Sequence, residues 1–88
     1  MTIREDFNNL LDKLKTERDE IRLKLHLASM EAKEEFDSTE HQWDLVKTKA
    51  AEIADESVET SEEFIAKAKI VGEELKETYQ RIAKRLTE

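Results

Sequence analysis

Residues 36–53 read Phe36-Asp37-Ser38-Thr39-Glu40-His41-Gln42-Trp43-Asp44-Leu45-Val46-Lys47-Thr48-Lys49-Ala50-Ala51-Glu52-Ile53, and they decide the fold class. Phe36, Thr39, Trp43, Val46, Ala50 and Ile53 recur at steps of three and four, while the intervening positions are mostly charged or polar. That is the period of one face of an α-helix; a half-buried strand would alternate by two. The stripe extends in both directions. Towards the N-terminus it continues through Ala32, Ala28, Leu25, Ile21, Leu14, Leu10, Phe7 and Ile3. Towards the C-terminus it continues through Ser57, Phe64, Ala68, Val71, Leu75, Tyr79, Ile82 and Leu86. A disordered chain has no reason to keep such a stripe.

Rows spaced by eleven also fit: Leu10, Ile21, Ala32, Trp43, Ala54, Ile65, and Ile53, Phe64, Leu75, Leu86. Eleven residues in three turns is close to the natural helical repeat, so nearly straight helices are expected. Over short runs, plain three-four spacing produces the same rows.

Composition agrees with long helices. Charged residues make up 42% of the 88-residue chain and hydrophobic ones 38%, with no proline and a single glycine, Gly72. Such mixtures of Ala, Glu, Lys, Leu and Arg are typical of coiled coils. The expected fold is therefore all-α: a coiled-coil helical hairpin of long helices, assembling into an antiparallel dimer or a larger helical bundle. The whole chain, 1–88, reads as one coiled-coil domain, with a long helix over about 3–55, a bend at about 55–61 and a second helix over about 61–87.

No proline or turn glycine marks the bend, so it rests on capping-type signals. Thr60 followed by Glu63 reads as a capping box, and the seam is weakest around Ser57. Asp37-Ser38-Thr39-Glu40 is a second candidate, and an unbroken helix of roughly 130 Å a third. A bend near Ser57 pairs Ile53 with Phe64, Val46 with Val71 and Trp43 with Leu75. It leaves Phe7, Leu10, Leu14, Ile21 and Leu25 uncovered. Burying each such side chain is worth about 1.5–3 kcal/mol, and a chain this short buries only ~60% of its unfolded surface. The uncovered arm therefore calls for a second chain. The expected interface is Phe7, Leu10, Leu14, Ile21, Leu25, Phe36, Trp43, Val46, Ile53, Phe64, Val71, Leu75, Tyr79 and Ile82, and the partner is a second copy of the chain or another helical protein.

The net charge is −7. Residues 28–66 hold twelve acidic and three basic side chains, whereas residues 67–88 hold six basic and four acidic ones. An acidic middle repels phosphate backbones, which argues against nucleic-acid binding. Carboxylates beside the apolar face likewise disfavour a membrane, where flanking Lys and Arg would be wanted. There is no cysteine, hence no disulfide or thiolate site, and no signal-peptide core or membrane span, so a cytoplasmic location is expected.

Chemistry is poorly served. The carboxylate-bridged dimetal motif needs Glu-x-x-His, but Leu23 and Ser38 stand three before His26 and His41. Asp37, His41 and Asp44 share a helical face and could hold only an adventitious cation. There is no nucleophile elbow and no phosphate loop. The chain reads as a non-enzyme with no cofactor, no metal and no small-molecule substrate. Trp43 lies on the seam as a packing residue, Met30 lies off it, and Gly72 either permits close helix approach or is incidental.

The stretch 57–86, and especially Glu73-Glu74-Leu75-Lys76-Glu77-Thr78-Tyr79 with Ile82 and Ala83, together with the opening Met1, Arg4, Glu5 and Phe7, resembles a family of small bacterial coiled-coil proteins. Members often carry tryptophans at eleven-residue spacing near the C-terminus; Ser61 and Gly72 stand at the matching positions here. The resemblance implies a bacterial, cytoplasmic, self-associating helical-hairpin protein connected with stress response and without a defined reaction. The functional expectation is a structural or interaction protein that self-associates through the seam. The alternative is an amphipathic binder of storage-granule or lipid surfaces.

Overall fold

The computed structural model describes residues 2–55 and 59–87. It is all-α, with helix α1 over Ile3–Leu25, α2 over Met30–Ala54 and α3 over Glu62–Thr87. The bundle measures 43 × 23 × 17 Å, far from a single extended helix.

Each helix start has a local cause. Thr2 caps α1, its hydroxyl accepting the Glu5 N–H at 3.2 Å, and Glu5 and Asp6 lie in the first turn, where carboxylates complement the helix dipole. Ser29, in extended conformation, caps α2 by accepting the Ala32 N–H at 3.2 Å. Ser61 begins α3: its hydroxyl accepts from Phe64 N–H and its carbonyl from Ile65 N–H, both at 3.1 Å. The capping box expected at Thr60 and Glu63 thus gives way to a cap one residue later. Thr60 instead accepts a hydrogen bond from Arg4 Nη2 at 3.3 Å.

α2 ends at Ala54 and α3 begins at Glu62, so the stretch read as a bend separates two helices. Ser57 lies outside the described residues. The bend considered near Ser38 does not occur: Ser38 and Thr39 sit inside α2, their hydroxyls donating to the carbonyls of Glu35 and Phe36, each at 2.6 Å.

The long helix expected over 3–55 is in fact two helices, broken at 26–29. The break uses ordinary conformations, with no positive φ among the described residues. Leu27 N–H bonds to the Lys24 carbonyl and Ala28 N–H to that of Leu25, giving tight i→i+3 turns. Ser29 then swings to ψ 162° and restarts the helix. What drives the break is burial. Folding α1 back covers Phe7, Leu10, Leu14 and Ile21 within the same chain, so the overhanging arm that called for a second chain is absent.

The topology is up-down-up. Arg4 near the start of α1 donates to the Ile53 carbonyl at the end of α2 (2.6 Å), and Glu17 of α1 accepts from Gln80 of α3 (3.5 Å). α1 therefore runs antiparallel to α2 and parallel to α3, packing most closely against α3. Gly72 makes that approach possible. A Cβ there would lie 2.9 Å from Leu10 Cδ2 and 3.6 Å from Leu14 Cδ1. Between α2 and α3, Phe36 stacks on Tyr79 with ring centroids 6.2 Å apart, and Lys49 Nζ lies 5.0 Å from the Phe64 ring centroid.

Candidate functional site

The fourteen residues expected at an intermolecular interface all join one core inside a single chain. Phe7, Leu10, Leu14, Ile21, Phe36, Trp43, Val46, Ile53, Leu75, Tyr79 and Ile82 are buried, and Leu25, Phe64 and Val71 are half-buried. Ile65, which the eleven-residue row includes but the three-four stripe passes over, is buried as well. Ala54, from the same row, is exposed.

Two features stand out against this core. The first is a polar inlay at mid-bundle. Arg18 of α1 forks onto Glu40 of α2, with Nε to Oε1 at 3.0 Å and Nη2 to Oε2 at 2.7 Å. The guanidinium also lies 5.4 Å from the Trp43 ring centroid, a cation–π arrangement. The hydrogen bonds from Arg18 hold the Glu40 carboxyl below the usual carboxylate range, and the same bonds raise the Arg18 pKa. Tyr79, fully buried next to this pair, has its phenol pushed up to about 12, chiefly by burial. Its hydroxyl lies beside that of Thr39, while Glu17 Oε2 is buried without a hydrogen-bond partner among the described residues. Near one end of the bundle Glu35 of α2 receives Arg85 at 2.5 Å and Arg81 at 3.6 Å. Sequence spacing suggests Glu77 as the partner of Arg81; the bundle supplies a better-placed carboxylate from another helix. Glu63 and Lys67, four apart on α3, pair at 3.5 Å.

The second feature is the end of the bundle built by the 26–29 turn. Leu23, Leu27 and Met30 are 74%, 85% and 71% exposed there. Beside them Leu25, Ala28 and Leu86, all seam positions, are only half-buried. An open recess of about 470 Å³ is lined by Leu27, Ala28, Ala32 and Leu86 together with Lys24, Arg85, Ser29 and Glu31. Other seam positions, Ile3, Ala50, Phe64 and Val71, are half-buried too; what sets this end apart is the three large apolar side chains exposed beside it. Sequence reading passed over this end because its three exposed apolar residues lie off the stripe.

Among the described residues, no three His, Asp or Glu side chains converge to hold a metal ion; Asp37, His41 and Asp44 share a face but do not form such a group. Nor is any described helix long and apolar enough to cross a membrane. The arrangement offers packing surface and fixed charge pairs. No family model, curated protein or solved structure matches the chain.

Proposed function

We propose that the chain is a non-enzymatic interaction protein that self-associates, and that it does so at the turn end of the bundle rather than through the whole seam. One observation carries this reading: at the 26–29 turn three large apolar side chains, Leu23, Leu27 and Met30, stand in solvent beside the half-covered seam positions Leu25, Ala28 and Leu86. Leu45 and Ile70 are exposed singly elsewhere, whereas three large apolar side chains grouped at one end of a highly charged molecule mark a contact surface. A second copy supplies a matching patch without any new chemistry, and two-fold contacts are the commonest way such patches are used.

Sedimentation equilibrium from micromolar to near-millimolar concentration tests the reading. The expected result is a monomer–dimer equilibrium that Ala28→Glu, at the open end, weakens at least tenfold. A monomer across the whole range would refute it. A second reading, docking on an anionic apolar surface, draws on Lys24 beside the exposed apolar side chains, against Glu31 in the same recess and with Arg85 held by Glu35. Flotation with anionic vesicles separates the two.

A further inference from the structure

We infer that two copies associate by exchanging α1: the turn at 26–29 opens, α1 and α2 join into one helix across 3–54, and each α1 docks on α3 of the other copy. This rests only on the reading that the chain self-associates; it places the contact along the exchanged α1 seam instead of on the exposed side chains at the turn end.

Three observations lead there. The first is the turn itself. His26 is already helical at φ −66°, ψ −17°, and the N–H groups of Leu27 and Ala28 already bond back to the carbonyls of Lys24 and Leu25. Ser29 departs through its ψ of 162°, which any residue of its type can rotate into the helical region. No glycine, proline or positive φ locks the reversal. Short hinge loops of this kind are where chains exchange elements.

The second observation is phase. Ile21, Leu25, Ala28, Ala32 and Phe36 keep the three-four step straight through the turn. A turn imposes no such phase, because the residues on either side belong to separate helices. A continuous helix requires it.

The third is the open recess. In the closed chain Leu25, Ala28 and Leu86 lack full cover. Exchange keeps the register fixed by Arg18 against Glu40, now between copies, and that register sets Leu25 against residues 32–33 and Ala28 against residues 29–30 of the second copy. Ala28, Ser29 and Ala32 are small enough for two long helices to cross closely there. Leu23, Leu27 and Met30, at steps of four and three, fall on the face opposite the seam of the joined helix. Exchange therefore leaves them outside, whereas docking of two closed bundles end to end would use them.

The chain has no cysteine, which makes a cross-linking test clean. Glu17 and Gln80 touch across α1 and α3. Chains carrying Glu17→Cys are unfolded together with chains carrying Gln80→Cys, refolded at rising concentration and treated with a short bis-maleimide that spans the gap the two long side chains fill, and the links are mapped by mass spectrometry. Exchange predicts a 17–80 link between chains that increases at least tenfold with concentration and survives Leu27→Lys. It also predicts loss of that link with Met30→Pro. Proline fits the first position of α2, after a residue already extended, but cannot sit inside a joined helix. Met30→Ala serves as the control for side-chain loss, and a chain bearing both cysteines, which the same cross-linker joins within itself when α1 packs on α3, reports that Met30→Pro still folds. A dimer by mass that shows no 17–80 link between chains, or that Leu27→Lys dissolves, overturns exchange and leaves self-association standing. A monomer at every concentration overturns both.

Discussion

Replacing Gly72 probes the contact that turns a hairpin with a loose arm into a three-helix bundle. In the helix interior glycine costs about 1 kcal/mol relative to alanine, so its presence calls for a packing reason. That reason is Leu10, whose Cδ2 would lie 2.9 Å from a Cβ at position 72, with Cγ at 3.5 Å and Leu14 Cδ1 at 3.6 Å. For Gly72→Ala the gain in helix propensity opposes a displacement of the Leu10 methyl by a few tenths of an ångström. Leu10 retains 8% exposure at the edge of the core, so its side-chain end can give, and the net change is expected within about 1 kcal/mol. Gly72→Val has no such escape. Its branched methyls must displace both Leu10 and Leu14, and overpacking of this kind costs about 1–3 kcal/mol, with roughly another 0.5 kcal/mol saved by leaving glycine. Urea unfolding followed by circular dichroism measures both variants, and each kcal/mol corresponds to roughly 4–8 °C in Tm for a chain of this size. Combining Gly72→Val with Leu10→Ala should recover part of the loss, because the two share one space. If Gly72→Val unfolds at the same urea concentration as the parent chain, α1 does not pack on α3 at this point and the bundle is wrong.

The polar inlay yields two further expectations. Glu40→Gln should cost about 1 kcal/mol at neutral pH, the upper range for a partly exposed but bidentate pair. Because the folded Glu40 pKa is depressed, that contribution is present above the ordinary carboxylate pKa and is lost as pH falls through the lower folded value. The difference between parent and variant should therefore shrink in acid urea titrations. Tyr79 runs the other way: its pKa is raised to about 12, so its contribution is intact below about pH 10 and falls as pH rises towards 12, by up to about 3 kcal/mol. Tyr79→Phe, which removes a buried hydroxyl set beside Thr39, should be within about 1 kcal/mol of the parent at pH 7 and should abolish that alkaline loss.

The seam was legible in the sequence because burial along a helix imposes a period. From Ile3 to Leu86 its described positions are all buried or half-buried. The reversal between α2 and α3 was legible from the polar stretch that interrupts the stripe. The turn at 26–29 was not, for a physical reason: it contains no helix breaker and the apolar phase passes through it unshifted. The available signal was Ser29, a good cap followed by Glu31 in the first turn, and such a serine is equally at home on a solvated helix face. Missing that turn made the N-terminal arm look uncovered and shifted the interface from inside the chain to between chains. The Arg18–Glu40 pair was invisible as well, since residues 22 apart meet only once α1 folds back.

Small-angle X-ray scattering of the dilute full chain tests most directly whether one chain closes its own seam. A closed three-helix bundle has a Cα radius of gyration of 14.2 Å, and the scattering value should lie close to it, with a compact distance distribution. A hairpin carrying an unbroken first helix across 3–54, roughly 78 Å long at 1.5 Å per residue, would instead give a radius of gyration on the order of 20 Å and a long tail in that distribution, and would contradict the account.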